Sequence, residues 1–211
     1  MNDLFVTGTD TEVGKTILSA LLTAEFNAMY WKPIQTGYQG GQVETDRQTV
    51  IRCAEVNESD TLPEAYVFDP PVSPHLAASQ AGMKIDLETI HKPRSEGLRP
   101  LVIEGAGGVL VPINDRKTML DLMRQLAAPI VIATRTTLGT INHTLLTINA
   151  VRNAGLRLTG VVMIGDENKN NRDAIEHYGQ VSVIGWIPHL TRIDRSSLLD
   201  VFANNFDRSM F

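Results

Sequence analysis

Residues 8–16 read GTDTEVGKT, and this stretch decides the fold. It follows the apolar run Leu4–Val6 and precedes the helical pattern Ile17–Leu22. A buried strand, a loop ending in Gly-Lys-Thr and then a helix is the layout of a phosphate-binding loop. Unpaired N–H groups and the dipole at such a helix start attract anions. The stretch therefore predicts binding of a nucleoside triphosphate with magnesium. Lys15 is expected to reach the β- and γ-phosphates, and the Thr16 hydroxyl to hold the metal.

The loop departs from the strict phosphate-loop pattern at one position. That pattern places a glycine six residues before the lysine, where this chain has Thr9, and the glycine comes one residue earlier, at Gly8. A strand-loop-helix that contains Gly-Lys-Thr by chance is the alternative. The flanking strand and helix patterns favour the phosphate loop.

Length and composition indicate one globular domain spanning residues 1–211, with 43% hydrophobic and 20% charged residues. The net charge of −5 argues against general binding to nucleic acid or to a polyanionic membrane surface, and it still allows a local basic pocket for phosphate. The single cysteine, Cys53, allows no disulfide within the chain and is expected to be a small buried residue. No apolar run approaches the ~18 residues of a membrane span. The first residues show neither the basic segment nor the long apolar stretch of a secretion signal. We therefore expect a cytoplasmic protein.

Apolar runs alternate with helical patterns along the chain, which predicts an α/β fold: a mostly parallel sheet with helices on both faces. The expected strands are Leu4–Thr7, Ala28–Lys32, Leu101–Glu104, Ile130–Thr134, Gly160–Ile164 and Val181–Trp186. The expected helices are Lys15–Asn27, Glu44–Glu55, Val72–Gln80, Asp86–His91, Met119–Leu126, Thr140–Asn153, Arg172–Tyr178 and Ser196–Phe206. Ligands in such folds bind beyond the carboxyl ends of the strands.

Two charged residues lie at the end of the second predicted strand and in the segment after it. Lys32 ends an apolar run, and it is either a solvated strand end or a second cation that faces a phosphate or a carboxylate. Asp46 lies at a predicted helix start. An N-cap at Asp46 or Thr45 is the ordinary interpretation, and a magnesium ligand is the alternative. The pattern alone favours the cap.

A carboxylate and a glycine run close the third predicted strand. Glu104 follows three apolar residues, and glycines then allow a ligand to approach the backbone closely at 105–108. Enzymes with a phosphate loop place the acid that faces magnesium at such a strand end. A solvated Glu104 in a glycine-rich turn is the alternative.

The segment Thr137–His143 opens a predicted helix. Gly139 or Thr140 is expected to cap that helix, and its free N–H groups can hold a carboxylate. Asn142 and His143 lie on the first turn, so both can face a ligand, although the pattern favours a structural histidine. The histidines lack metal-ligand spacing, so no zinc site is predicted.

These segments together resemble the dethiobiotin synthetases. The matching motifs are GTDTEVGKT at 8–16, WKP at 31–33, SPH at 73–75, VIEGAGG at 102–108, LGTINH at 138–143 and GVV at 160–162. They occur in the family's order and cover nearly the whole chain. The displaced glycine of the first loop is itself typical of that family, as is the Leu-Gly-x-Ile-Asn-His motif.

The resemblance implies a single-domain, three-layer P-loop NTPase fold and a homodimeric enzyme of biotin biosynthesis. Such an enzyme uses ATP and Mg²⁺ to close a cyclic urea on 7,8-diaminononanoate with CO₂. One substrate amine forms a carbamate, which attacks the γ-phosphate of ATP. The other amine closes the resulting mixed anhydride, giving dethiobiotin, ADP and phosphate.

The resemblance also assigns roles to residues. Lys15 and Lys32 neutralise the carbamate and the transferring phosphoryl group. Metal ligands are Thr16, Asp46 and Glu104. Thr36 contacts the diamine, and the helix start with Gly139, Thr140 and Asn142 binds the substrate carboxylate from the partner subunit, near the interface. Nucleotide contacts are implied at Glu12, Val13, Gly14, Lys15, Thr16, Ile17, Asp46, Glu104, Gly105, Ala106 and Gly107.

Nucleotide contacts are also implied after the last two strands, at Gly165, Asp166, Pro188, His189 and Leu190. Two departures from the family pattern fall there. The family often has Asn-Asp after the fifth strand, with the asparagine reading adenine, whereas this chain has Ile164, Gly165 and Asp166. The usual Pro-Trp-Leu is Pro188-His189-Leu190. We hypothesise that base selectivity is relaxed.

Two other classes share parts of the pattern. Regulatory ATPases of the MinD and ParA kind carry a second lysine five residues before the main one, where this chain has Asp10, and no terminal amphipathic membrane helix is evident. Ligases of the cobyrinate type usually carry a glutamine-hydrolysing domain with a nucleophilic cysteine. A short chain with only Cys53 leaves no room for one.

Overall fold

The computed structural model describes residues 2–92 and 99–211. Its strands are β1 (Leu4–Gly8), β2 (Met29–Trp31), β3 (Ile34–Thr36), β4 (Thr61–Leu62), β5 (Tyr66–Phe68), β6 (Leu101–Gly108), β7 (Ile130–Arg135), β8 (Leu158–Ile164) and β9 (Val183–Ile187). Seven of them form a parallel sheet in the order β4-β2-β6-β1-β7-β8-β9. The other two, β3 and β5, form a separate parallel pair.

Helices cover both faces of the large sheet, which confirms the predicted α/β class. They are α1 (Lys15–Phe26), α2 (Asp46–Ala54), α3 (Pro74–Gln80), α4 (Met119–Leu126), α5 (Thr140–Asn153), α6 (Lys169–Gly179) and α7 (Arg195–Asn205). Successive residues of a strand point to opposite faces. Val6 therefore packs in the core that includes α1, α2 and α7, whereas Phe5 packs in the core that includes α4, α5 and α6.

The segment between β2 and β6 differs most from expectation. The helix predicted over Asp86–His91 is wrong, because the structure has only a 3₁₀ turn at Leu87–Thr89. The Asp86 side chain accepts the Glu88 N–H at 2.9 Å, a local bond that competes with a continuous helix. The helix predicted from Val72 begins at Pro74, a residue suited to the first helical turn. The other predicted helices are confirmed, with ends displaced by a few residues at most.

The central position of β1 arranges the functional edge of the sheet. β1 lies between β6 and β7, with Val6 paired to Glu104, and β6 also pairs with β2. All three strands are parallel, so the phosphate-binding loop, Lys32 and Glu104 emerge at the same edge. Among the described residues, no helix is long and apolar enough to cross a membrane.

Candidate active site

The phosphate-binding loop folds back over its first glycine. A Cβ on Gly8 would lie 2.7 Å from Val13 Cγ2 and 2.8 Å from the Asp10 carbonyl oxygen, distances too short for any side chain. The second glycine, Gly14, has φ of 91° as it starts α1, a left-handed conformation that favours glycine. The early glycine at position 8 is therefore required by the shape of this loop.

Replacing Gly8 with alanine should weaken binding of ADP by about tenfold or more, because the loop must open to admit the methyl group. Isothermal calorimetry measures this directly. Gly155→Ala is the control, since Gly155 also has a positive φ, of 72°, but open space around it beyond α5. That variant should lose stability and keep its affinity for ADP. A Gly8→Ala protein that binds ADP like the parent would contradict the assigned loop geometry.

Lys15, the first residue of α1, reaches back across the loop. Its Nζ donates to the Asp10 carbonyl oxygen at 2.8 Å, and the residue is 7% exposed. Burial lowers the pKa of Lys15, and the negative charge of Glu104 opposes that effect only in part. A bound phosphate would supply the negative charge that stabilises the ammonium.

Behind the loop, four side chains from different elements converge. The Thr16 hydroxyl oxygen lies 2.5 Å from Asp46 Oδ1 and 2.9 Å from Glu104 Oε1. Lys32 Nζ forms an ion pair with Asp46 and a second with Glu104 Oε1 at 3.2 Å. A hydroxyl has one proton and can donate to only one carboxylate at a time. The Thr16 hydroxyl and one carboxylate oxygen each of Asp46 and Glu104 therefore lie close together. Such oxygens are the ligands that Mg²⁺ prefers.

The ionic state of this cluster follows from its charges. Burial disfavours the Lys32 ammonium, but Glu104 and Asp46 outweigh it and raise the Lys32 pKa to about 12. Burial likewise opposes the charge of Asp46, yet Lys32 lowers the pKa of Asp46 below its ordinary value. Lys32 and Asp46 are therefore both charged near neutral pH.

The cap of α2 is Thr45 rather than Asp46. The Thr45 hydroxyl accepts the Gln48 N–H at 3.2 Å, and the Gln48 side chain accepts the Thr45 N–H at 2.8 Å. Such a reciprocal pair satisfies two otherwise unpaired donors of the helix. Of the two predicted cap residues, Thr45 is confirmed and Asp46 is not, and the Asp46 carboxylate faces Lys32 and Thr16 instead.

A cavity of about 710 Å³ opens in front of the cluster. Most of the predicted site residues line it together: Glu12, Gly14, Lys15, Thr16, Ile17, Lys32, Thr36, Asp46, Glu104, Ala106 and Gly107. Ser73 and Pro74, from the SPH motif, form part of the opposite wall with Val72. The long segment between β2 and β6 thus contributes to the same cavity.

Residues 2–92 and 99–211 contain no group of three His, Cys, Asp or Glu side chains arranged to hold a metal. The cluster has two carboxylates and one hydroxyl. Mg²⁺ usually takes one or two carboxylates and completes its shell with phosphate oxygens and water. A cation at this position therefore needs oxygens from a bound nucleotide.

Two other predicted nucleotide contacts also have a packing role. Val13 is buried and packs over Gly8. Gly105 is buried in β6, where a Cβ would lie 2.9 Å from the Phe5 ring. Both residues lie outside the cavity, so only their backbone groups are available to a ligand.

The predicted nucleotide contacts beyond β8 and β9 lie beside the loop rather than in the cavity. Ile164, the last residue of β8, approaches Gly14 so closely that a Cβ there would lie 2.7 Å from Ile164 Cδ1. The Gly165 N–H donates to the Ile187 carbonyl at 3.0 Å, which ties the two strand ends together. Asp166 and His189 face each other at 3.8 Å and are exposed. Pro188 and Leu190 are half-buried beside His189.

The start of α5 also lies outside the cavity. Gly139 caps the helix with φ of 93°. The Thr140 hydroxyl donates to the Arg135 carbonyl at 2.5 Å and lies 2.8 Å from the Thr134 hydroxyl, so it already has partners within the chain. Asn142 is exposed, and so is His143, contrary to the structural role that its pattern favoured.

Tyr30 belongs to the site although the sequence pattern did not predict it. This fully buried residue donates its hydroxyl to Glu104 Oε2 at 3.0 Å. Burial, and then the charge of Glu104, raise the Tyr30 pKa well above its ordinary value. Residues two apart on a strand share a face, so the position of Lys32 already indicated that Tyr30 points toward the same site.

The chain is similar to known proteins along nearly its full length. A family model described as an AAA domain matches residues 2–197. The ATP-dependent dethiobiotin synthetase BioD of Rhodopseudomonas palustris strain HaA2 is 45% identical over 99% of this chain and 95% of its own. The proteins of that name from Novosphingobium aromaticivorans and Agrobacterium fabrum are 46% and 43% identical, each over 98% of this chain and over 97% and 95% of their own.

Some solved structures share the fold of this chain although their sequences are only distantly similar. A ParA family ATPase from Chlorobium tepidum has a TM-score of 0.56 at 12% identity, covering 96% of this chain and 93% of its own. The cell division ATPase MinD of Pyrococcus furiosus has a TM-score of 0.54 at 16% identity, covering 95% and 88%. This likeness confirms the P-loop architecture. The sequence relatives go further, and they show that the chain belongs to the ATP-dependent dethiobiotin synthetase family.

Proposed function

We propose that this chain carboxylates and cyclises 7,8-diaminononanoate with CO₂ to dethiobiotin, consuming ATP with Mg²⁺ and releasing ADP and phosphate. The observation that carries the proposal is the convergence of Lys15, Lys32, Thr16, Asp46 and Glu104 around one cavity beside the phosphate-binding loop. Family membership supplies the substrate class.

The nucleotide phosphates occupy the phosphate-binding loop in this proposal. Lys15 exchanges its bond to the Asp10 carbonyl for a phosphate oxygen. Thr16, Asp46 and Glu104 hold Mg²⁺, whose chemistry is to neutralise charge on the nucleotide phosphates. Lys32, already paired with both carboxylates, lines the same cavity as Thr36, the proposed contact of the diamine.

The reaction needs positioning and charge stabilisation rather than a protein nucleophile. One substrate amine adds to the carbon of CO₂ and loses a proton, giving a carbamate. A carbamate oxygen attacks the γ-phosphorus, and the bond to the β-γ bridging oxygen breaks to release ADP. The second amine then attacks the carbonyl carbon of the mixed anhydride, and phosphate leaves as the cyclic urea forms. Lys15 and Lys32 offset the negative charge that develops in these steps.

Isotope incorporation tests the proposed reaction. The protein, supplied with Mg·ATP, the diamine and ¹³C-bicarbonate, should yield dethiobiotin carrying the label, detected by mass spectrometry. Lys15→Met protein, which is expected to keep the parent's stability, serves as the matched control and should yield none above background. Absence of labelled product with the parent protein would overturn the assigned reaction.

A homodimer completes the site in this proposal. The start of α5, with Gly139, Thr140 and Asn142, binds the substrate carboxylate of the partner subunit. Support comes from the apolar residues exposed near this helix. Leu138 is fully exposed, and Leu110 and Leu146 line a second shallow cavity with His143.

Shared sites predict that two inactive variants restore activity when mixed. Lys15→Met damages one half of the site, and Asn142→Asp places a like charge at the other half. In a statistical mixture half the dimers are mixed, with one intact site each, so about a quarter of parent activity should return. Turnover after subunit exchange measures this. A mixture no more active than its components would contradict a site built from two subunits.

Base selectivity should be relaxed, because the stretch Ile164, Gly165 and Asp166 lacks the asparagine that reads adenine in the family's usual Asn-Asp. We expect kcat/KM with CTP or GTP to approach that with ATP. Phosphate release with each nucleotide measures the ratio. A strong preference for ATP would contradict this prediction and leave the reaction itself unaffected.

A further inference from the structure

Tyr30 occupies a position that the proposed reaction does not yet use. It is fully buried in β2, two residues before Lys32, and its ring lies on the α1 face of the sheet. Tyr30 and Lys32 both contact Glu104. The Tyr30 ring packs in the core with Val102 and residues of α1. Its hydroxyl does not end in that core but donates to Glu104, itself 1% exposed.

The two oxygens of Glu104 have different partners. Oε1 accepts from the Thr16 hydroxyl at 2.9 Å and from Lys32 Nζ at 3.2 Å. Oε2 accepts from Tyr30 at 3.0 Å. The bond to Tyr30 therefore fixes the rotation of the carboxylate and keeps Oε1 at the point where the Thr16 and Asp46 oxygens meet.

We propose that Tyr30 is a positioning residue, which orients the Glu104 carboxylate to bind the divalent cation that accompanies the nucleotide. The inference rests on the proposed function only for the identity of the cation site. Partners that orient a metal-binding side chain commonly affect metal affinity or activity by about 10–100-fold.

The test compares Tyr30→Phe with the parent by calorimetry of ADP binding, with and without Mg²⁺. The substitution keeps the ring and removes the hydroxyl. The factor by which Mg²⁺ tightens ADP binding should fall about tenfold, whereas ADP binding without Mg²⁺ should change less than twofold. This readout needs no turnover, so it stays informative even if the protein catalyses a different reaction.

Tyr66→Phe is the matched control. The Tyr66 hydroxyl also has partners, Thr89 Oγ1 at 3.0 Å and the Asp86 N–H at 3.2 Å, but it lies outside the cavity. That variant should keep the full effect of Mg²⁺ on ADP binding. If Tyr30→Phe keeps it as well, Tyr30 only packs in the core and the proposal is overturned.

A double-mutant cycle with Glu104→Gln separates positioning from general destabilisation. If Tyr30 acts through Glu104, adding Tyr30→Phe to Glu104→Gln should cause no further loss of the Mg²⁺ effect. Independent, additive losses would contradict the proposal. Tyr30→Met, a second variant without a hydroxyl, replaces Tyr30→Phe in the cycle if the phenylalanine variant does not fold.

Discussion

Lys32→Met is expected to abolish turnover and also to destabilise the fold by about 3–5 kcal/mol, because removing one partner of a buried ion pair leaves uncompensated charge. Lys32 is 6% exposed and pairs with both Asp46 and Glu104, and Glu104 is itself 1% exposed. Methionine keeps much of the side-chain volume, so the loss reports charge rather than a cavity. Urea unfolding and phosphate release measure the two effects.

The control for Lys32→Met is Lys84→Met. Lys84 pairs with Asp115 at 2.8 Å, but both side chains are more than half exposed. Exposed pairs contribute only about 0–1 kcal/mol, so this variant should unfold like the parent and retain turnover. A Lys32→Met protein as stable as Lys84→Met would contradict the buried charge cluster.

Lys15→Met should lower kcat by about three orders of magnitude while leaving the free energy of unfolding near that of the parent. Unlike Lys32, Lys15 has no carboxylate as a hydrogen-bond partner among the described residues. Lys15 donates to the Asp10 carbonyl, and burial opposes its charge, so the fold gains little from its ammonium. Its favourable partner is expected to be the nucleotide.

Lys15→Met and Lys32→Met should therefore differ in stability although both lose turnover. Both lysines are buried and both line the same cavity, yet only Lys32 is held by carboxylates. A Lys15→Met protein that fails to fold would show that Lys15 has a structural role. Equal stability losses in the two variants would contradict the separate roles assigned to them.

The sequence alone predicted those site residues that stand at recognisable places in short stretches of the chain. The loop at 8–16, Lys32 and Glu104 each come directly after a run of apolar strand residues, and neighbouring parallel strands bring these positions together. Local pattern also explains why the helix α5 was predicted with its observed ends, Thr140 and Asn153.

Features that depend on tertiary contacts could not be predicted from the sequence alone. Thr45 and Asp46 are both ordinary N-cap residues, and only the bonds of Thr45 with Gln48 show which one caps α2. The small sheet of β3 and β5 was missed because each strand has three residues, too few for a period to emerge. The spacing from Lys32 indicates where Tyr30 points, but its hydrogen bond to Glu104 depends on the pairing of β2 with β6, which no local pattern shows.

Phosphate release tests the central claim most directly. The protein is supplied with Mg·ATP, 7,8-diaminononanoate and bicarbonate, and each component is omitted in turn. We expect phosphate release only when all are present, because the carbamate formed from the diamine and CO₂ is the nucleophile that attacks ATP. Turnover that continues without the diamine would contradict the account and indicate a simple ATPase.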